Sequence, residues 1–278
     1  MKRAWAICKR ELKAFFTTPV GYIVIGTFAL ISGLGFTVSF LFYGLMTESP
    51  SAYDFAAVPD FEETFLSPFL VYCGSIMMFI APLITMRLFA EEHHQGTIEM
   101  LLTHPVRDRD IIFGKYAAGL VLVLAMVAVL VVYILIIDRF VAVEPAVLAF
   151  GLVAVFLMGA ALVSMGLFIS AVCRSQITAA TATFGLFFIF FIIGYFGEDL
   201  PEENTAPATW SDDMHRAADI AYAIFRTFVR ELPLDAHAKT MAEGILQPAD
   251  IAYYVLFIAF FLFLTFRALE SRKWGAGK

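Results

Sequence analysis

The residues whose types could do chemistry gather in the interval 90–116, AEEHHQGTIEMLLTHPVRDRDIIFGKY. Adjacent His93 and His94 suggest a metal ion. Neighbouring side chains on a helix point about 100° apart, however, which makes a poor chelate, so no metal is expected there. Gly114-Lys115 touches on the signature of a phosphate-cradling loop but lacks the earlier glycine and the following Ser or Thr. Asp54, Asp60, Glu62 and Glu63 share a stretch, 47–64, without Lys or Arg, and read as a solvated acidic loop. The three cysteines, Cys8, Cys73 and Cys173, have neither metal-ligand spacing nor the even number of a disulfide framework. No Ser/His/Asp grouping or zincin helix is present. With catalysis and metal binding unsupported, the chemistry left to this interval is mechanical.

Its local pattern suits such a role. Glu91 and Glu92 end a preceding apolar helix, and Gly96 interrupts. Thr97 is a fair N-cap, with Glu99 in the first turn where the helix dipole favours an acid. Ile98, Leu101 and Leu102 make one apolar stripe, and His104-Pro105 closes the helix. Two turns are too short to be stable alone. Burying the stripe is worth roughly 1.5–3 kcal/mol per side chain. Either the ends of neighbouring spans or a separate cytoplasmic protein would serve as the surface.

The elements around this interval are set by composition. The 278 residues are 60% hydrophobic and 16% charged, with a mean hydropathy of +0.81. Soluble domains are about 45–50% apolar and about 25% charged, so the chain reads as a membrane protein. Six stretches have the about 20 apolar residues that a crossing needs: 19–46, 65–89, 111–137, 145–172, 177–196 and 249–269. Pro68 and Pro82 predict a kink in the second. The first run is too long for the apolar core of a cleavable signal peptide. Fourteen of the 19 basic residues fall on one side of these spans. The excess places both termini and the interval 90–110 in the cytoplasm, with 197–248 outside.

Residues 1–17 carry Trp5, Cys8, Leu12, Phe15 and Phe16 at helical spacing, with Lys2, Lys9, Arg10 and Lys13 between them. That is an amphipathic helix suited to the membrane interface; a cytoplasmic extension of the first span is the alternative. In 197–248, an acidic, proline-containing start precedes Met214, Ala218, Ala221, Phe225, Phe228 and Leu232, a second amphipathic helix expected to lie on the outer interface or cap the bundle. His215 and His237 are expected to be solvated. Ionisable residues are missing from the middle of every span, where proton pumps and ion-coupled carriers place them. Energy for any transport is therefore expected from a partner. An all-α fold follows, with six transmembrane helices, an N-terminal interfacial helix, a short cytoplasmic helix and an outer amphipathic helix before the last span.

This order of elements resembles the membrane subunit of type-2 ABC exporters. Arg87, Glu91-Glu92, Gly96-Thr97-Ile98-Glu99, Leu101-Leu102, Pro105-Val106 and Gly114-Lys115-Tyr116 look like that family's loop pattern, and the resemblance covers essentially the whole chain. Met86-Arg87-x-Phe89-Ala90-Glu91-Glu92, with Gly244, Asp250 and Tyr253, is most similar to the gliding-motility-type permease subunit. The resemblance implies a single domain of two-copy architecture, as a homodimer or with a paralogue. Each copy would dock on a cytoplasmic ABC ATPase that binds ATP and Mg, while this chain binds no cofactor and is not itself an enzyme. Residues 97–103 would be the coupling helix, with Glu91, Glu92, Gly96, Thr97, Ile98, Glu99, Leu101, Leu102 and Pro105 as the coupling residues. Residues 1–17, with Trp5, Lys9, Arg10, Leu12 and Lys13, would be the interfacial connecting helix. Membrane lipid and an auxiliary membrane protein with an extracytoplasmic domain are further implied partners, the latter at 197–248; no nucleic acid is. The place implied is the inner membrane, and the activity is export. The alternative is mechanical transmission to an outer partner with no cargo crossing. The faces of the first, second and fifth spans, including Phe184, Phe187, Phe188, Phe190 and Phe191, fit either an apolar cargo or plain contact with lipid.

Overall fold

The computed structural model describes residues 2–53, 59–94, 107–137, 139–141, 143–198, 200–201 and 212–275. These are almost entirely helical and include no strand. An amphipathic helix, α1 (Lys2–Thr17), is followed by a turn at Thr18-Pro19 and by α2 (Val20–Glu48). A π-helical turn (Glu62–Leu66) leads into α3 (Ser67–Thr85), and after a bend at 86–89 the short α4 (Ala90–His94) follows. Then come α5 (Asp108–Ile137), α6 (Pro145–Val172) and α7 (Gln176–Glu198). The last three are α8 (Asp212–Glu231), α9 (Leu234–Ala242) and α10 (Pro248–Gly275). Six segments are long and apolar enough to cross a membrane: Val20–Glu48, Glu62–Glu92, Asp108–Ile137, Pro145–Val172, Gln176–Gly197 and Pro248–Ser271. The end of the bundle where α1 packs is here the proximal end, and the opposite one the distal end.

Lipid is as apolar as a leucine side chain, so spans are held together by close packing and hydrogen bonds rather than by escape from water. The bundle is built accordingly around α6, which meets α3, α5, α9 and α10. Gly159 sets the approach: a Cβ there would lie 2.6 Å from Val123 Cγ1 of α5 and 3.2 Å from Met77 Sδ of α3. Towards the distal end, Phe36 of α2 meets Phe65 and Phe69 edge-on at 5.8 and 5.5 Å, a favoured ring geometry. Tyr133 of α5 donates to the Ala29 carbonyl of α2 at 2.6 Å. In α7, Phe187 is buried in the core while Phe184 and Phe188 remain partly exposed. Phe184 and Phe191 lean on Phe79 of α3 at 5.9 and 5.8 Å.

The second span is interrupted, at a point beyond either proline. Pro68 stands in the first turn of α3, directly after the π-helical turn Glu62–Leu66 that leads into it. Pro82 sits in the last turn of α3. The helix gives way just after it, at 86–89, before α4 resumes.

The segment before the last span holds two helices where the sequence suggests one. On α8, Met214, Ile220, Ile224, Phe225 and Phe228 are each more than half exposed, so its apolar face is turned away from the bundle. The shorter α9 does the reverse. Its Leu234, Ala238, Met241 and Ala242 are buried, and it packs on α3 and α6.

Candidate functional site

At the proximal end α1 lies directly on α5, and Gly114 is the reason. A Cβ at Gly114 would stand 2.7 Å from the Ala4 carbonyl oxygen and 2.8 Å from Ile7 Cβ. Cys8 and Phe15 are the buried side chains of α1. Glu11 falls between them at helical spacing, so a carboxylate is carried into the contact with the apolar face. Burial pushes the Cys8 thiol above its ordinary value, and the neighbouring Glu11 charge adds to the rise; the group is a packing residue rather than a reactive thiolate.

Lys115 follows Gly114 on α5 and answers that carboxylate. Its side chain is 1% exposed, and Nζ lies 3.1 Å from Oε1 of both Glu11 and Glu92. The same ammonium donates to the Leu88 carbonyl in the bend and stands 5.1 Å from the centre of the Phe89 ring. Arg10 closes the cluster from the solvent side, with Nη2 at 2.8 Å from Oε1 of Glu11 and of Glu92. Two carboxylates thus share two cations. Burial by itself would raise the Glu11 carboxyl, but Lys115 and Arg10 together outweigh it and hold the group below its ordinary value. A buried ion cluster holds only when its charges are paired and its hydrogen bonds made, and the protons of Lys115 have three oxygens around them.

A second set of bonds secures the bend. Arg87 binds Glu91 with two nitrogens, at 2.9 and 3.3 Å, and donates through Nη1 to Thr18 Oγ1 at 3.0 Å. Ser170 near the end of α6 is fully buried. Its Oγ accepts the backbone N–H groups of Phe89 and Ala90, each at 3.0 Å. An interrupted helix leaves such N–H groups without intrahelical carbonyls, and a hydroxyl from another helix takes their place. The interval 95–106 departs from α4 and returns to α5. Both of its stems are therefore tied to one network that also holds α1 and α6.

This placement sharpens the sequence reading. Glu91 and Glu92 form ion pairs within the chain. Arg10 joins them, so its role is not confined to the interface. Trp5 is 57% exposed, with Lys9 Nζ 5.5 Å from its ring centre; Lys13 is exposed and Leu12 half-buried. Gly96, Thr97, Ile98, Glu99, Leu101, Leu102 and Pro105, and with them the expected helix 97–103, lie outside the described residues. Sequence reasoning missed Glu11 and Ser170 and saw in Lys115 only a motif position. A lysine set between Ile111, Ile112 and Tyr116 at the start of an apolar helix was the available signal.

A second polar cluster sits at the distal end and corrects the expectation of a solvated His237. That ring is buried. Nδ1 lies 2.8 Å from Asp250 Oδ1, and Nε2 lies 3.0 Å from the Glu231 carbonyl. Thr240 Oγ1 donates to Asp250 Oδ2 at 2.8 Å, and Tyr253 stacks on the imidazole at 4.0 Å. Asp250 opens α10, so α9 folding back onto that helix brings the pair together. His215 remains half-exposed. Among the described residues no group of three or more His, Cys, Asp or Glu side chains is arranged to hold a metal ion.

No curated protein matches the chain. A family model described as ABC-2 family transporter protein matches residues 5–274. That match takes in most of α1, all six apolar segments and both polar clusters, and by it the chain belongs to the ABC-2 family of transporter membrane proteins.

Proposed function

We propose that the chain is the transmembrane permease subunit of an ATP-driven exporter. A separate cytoplasmic ABC ATPase binds ATP and Mg and hydrolyses the nucleotide. This chain, which carries no cofactor of its own, converts that work into movement of a substrate across or out of the inner membrane. The basic excess on one side of the spans supports a cytoplasmic proximal end, with both termini there. The exposed Trp5 and Phe16 suit α1 to the lipid interface. Two permease copies, or one copy and a paralogue, form the membrane part. The residues from Met86 to Glu92 favour the gliding-motility-type subgroup, and 197–248 is the surface offered to an auxiliary extracytoplasmic protein.

The observation that carries this reading is the shared anchorage of the two stems of 95–106. Residues 97–103 serve as the coupling helix, seated on the ATPase through Ile98, Leu101 and Leu102. A push on that helix reaches α4 through Glu92 and α5 through Lys115 together, and α1 through Glu11 and Arg10. Force applied at the loop thereby moves several spans as one body.

The test is Leu101→Asp in the complex reconstituted with its ATPase. Stimulation of ATP hydrolysis by the permease should fall to the level of the isolated ATPase while the chain still inserts in the membrane. Full stimulation by the variant would remove the coupling assignment.

A further inference from the structure

On the outward surface between α5 and α10 runs a groove of about 720 Å³, lined by Arg109 and Phe113 of α5 and by Ala259, Leu262, Phe263 and Phe266 of α10 among others. Its polarity has a direction. Arg109 is in the first turn of α5, at the proximal end, and Phe113 follows one turn further in. Along α10 the lining continues from Phe266 to Val255, about 16 Å at 1.5 Å per residue. The walls beyond the guanidinium are wholly apolar. Arg109 is exposed and makes no ion pair among the described residues. A single cation at the proximal end of an apolar-lined trough is the complement of one particular kind of molecule.

We propose that this groove binds one anionic phospholipid, with its phosphate on Arg109 and an acyl chain laid along α10. Guanidinium and phosphate match in charge and in bidentate geometry, and basic sites between spans at a membrane surface attract acidic headgroups. A second copy of the chain docked through α2 or α7 fits less well. The outward spans α2 and α7 carry their acidic residues only at the distal ends, Glu48 and Glu198. Docking either one here would cover Arg109 without a counter-charge, an expensive arrangement in a non-aqueous setting.

The experiment is native mass spectrometry of the full-length chain, purified in mild detergent and offered equimolar phosphatidylglycerol and phosphatidylcholine with the same acyl chains. The first lipid retained should be phosphatidylglycerol, preferred about fivefold. Arg109→Gln should abolish the preference. Ala259→Trp, which fills the trough but leaves Arg109 in place, should abolish retention of that first lipid. Leu262→Phe, a smaller filling change, replaces it if the tryptophan variant does not elute as the wild type does. Equal retention of the two lipids, a preference that survives Arg109→Gln, or unchanged retention in the filled variant would each overturn the assignment. A lipid-free dimer that Ala259→Trp breaks would do so as well, by giving the groove to a second copy.

Discussion

The two polar clusters differ in what they connect. At the proximal end Lys115 reaches Glu11 across 104 residues of sequence, and Arg10 reaches Glu92 across 82. At the distal end His237 meets Asp250 13 residues away, and Thr240 meets the same carboxylate over 10. The first cluster joins elements remote in the chain, chiefly through contacts between opposite charges. The second braces one local fold-back, α9 against the start of α10, and finishes it with tyrosine hydroxyls on the carbonyls of Leu232 and Leu234. Long-range ionic ties suit parts that must move together. Short-range hydrogen bonds suit a part that must stay where it is.

Lys115→Met is the largest way to break that contrast. It strips a buried carboxylate pair of its inner cation, a change that typically costs about 3–5 kcal/mol. The melting temperature of the purified chain should drop sharply, and stimulation of the partner ATPase should fall with it. Asp250→Asn should cost less, about 1–3 kcal/mol, as expected for disturbing a buried hydrogen-bonded group. Its melting temperature should fall while ATPase stimulation per folded molecule stays at the wild-type level. If Asp250→Asn uncouples as strongly as Lys115→Met, the two ends do not divide the labour as described.

The smallest effect is on pH dependence. Because Glu11 titrates lower in the folded chain than in the unfolded one, its contribution to stability is complete above the unfolded value, near 4.5. It is lost as the pH falls below that, through the folded value. Thermal melts of wild type and Glu11→Gln should therefore converge as the pH is lowered from 5 to 3, and run parallel above. Curves separated by a constant gap down to pH 3 would mean that Glu11 is not held charged by Lys115 and Arg10.

How much of this was legible beforehand follows from the range of the interactions. The six apolar helices stand out because crossing hydrocarbon demands long apolar runs, and hydropathy alone reveals those. Arg87 and Glu91 are four apart on a helical stretch and were readable as a pair. Lys115 with Glu11 was not, since no local pattern says that α1 lies over α5; that contact depends on the open space at Gly114. The inward face of α1 was only half legible, with Cys8 and Phe15 inside but Trp5 and Phe16 out, because two helix faces rich in apolar residues look alike before the neighbour is placed. The short α9 escaped notice because nine residues give too few apolar positions for a period. His237 was misjudged for the same reason: its partner becomes a neighbour only after α9 folds back.

The hydroxyl of Ser170 has one more consequence. Phe89 and Ala90 hold the bend through a bond that belongs to a different helix, so α4 cannot swing on α3 while α6 keeps its grip. Both N–H bonds end on one oxygen and are surrendered together, in a dry setting where a half-made bond is worth little. Such a joint is expected to give way as a unit rather than one bond at a time.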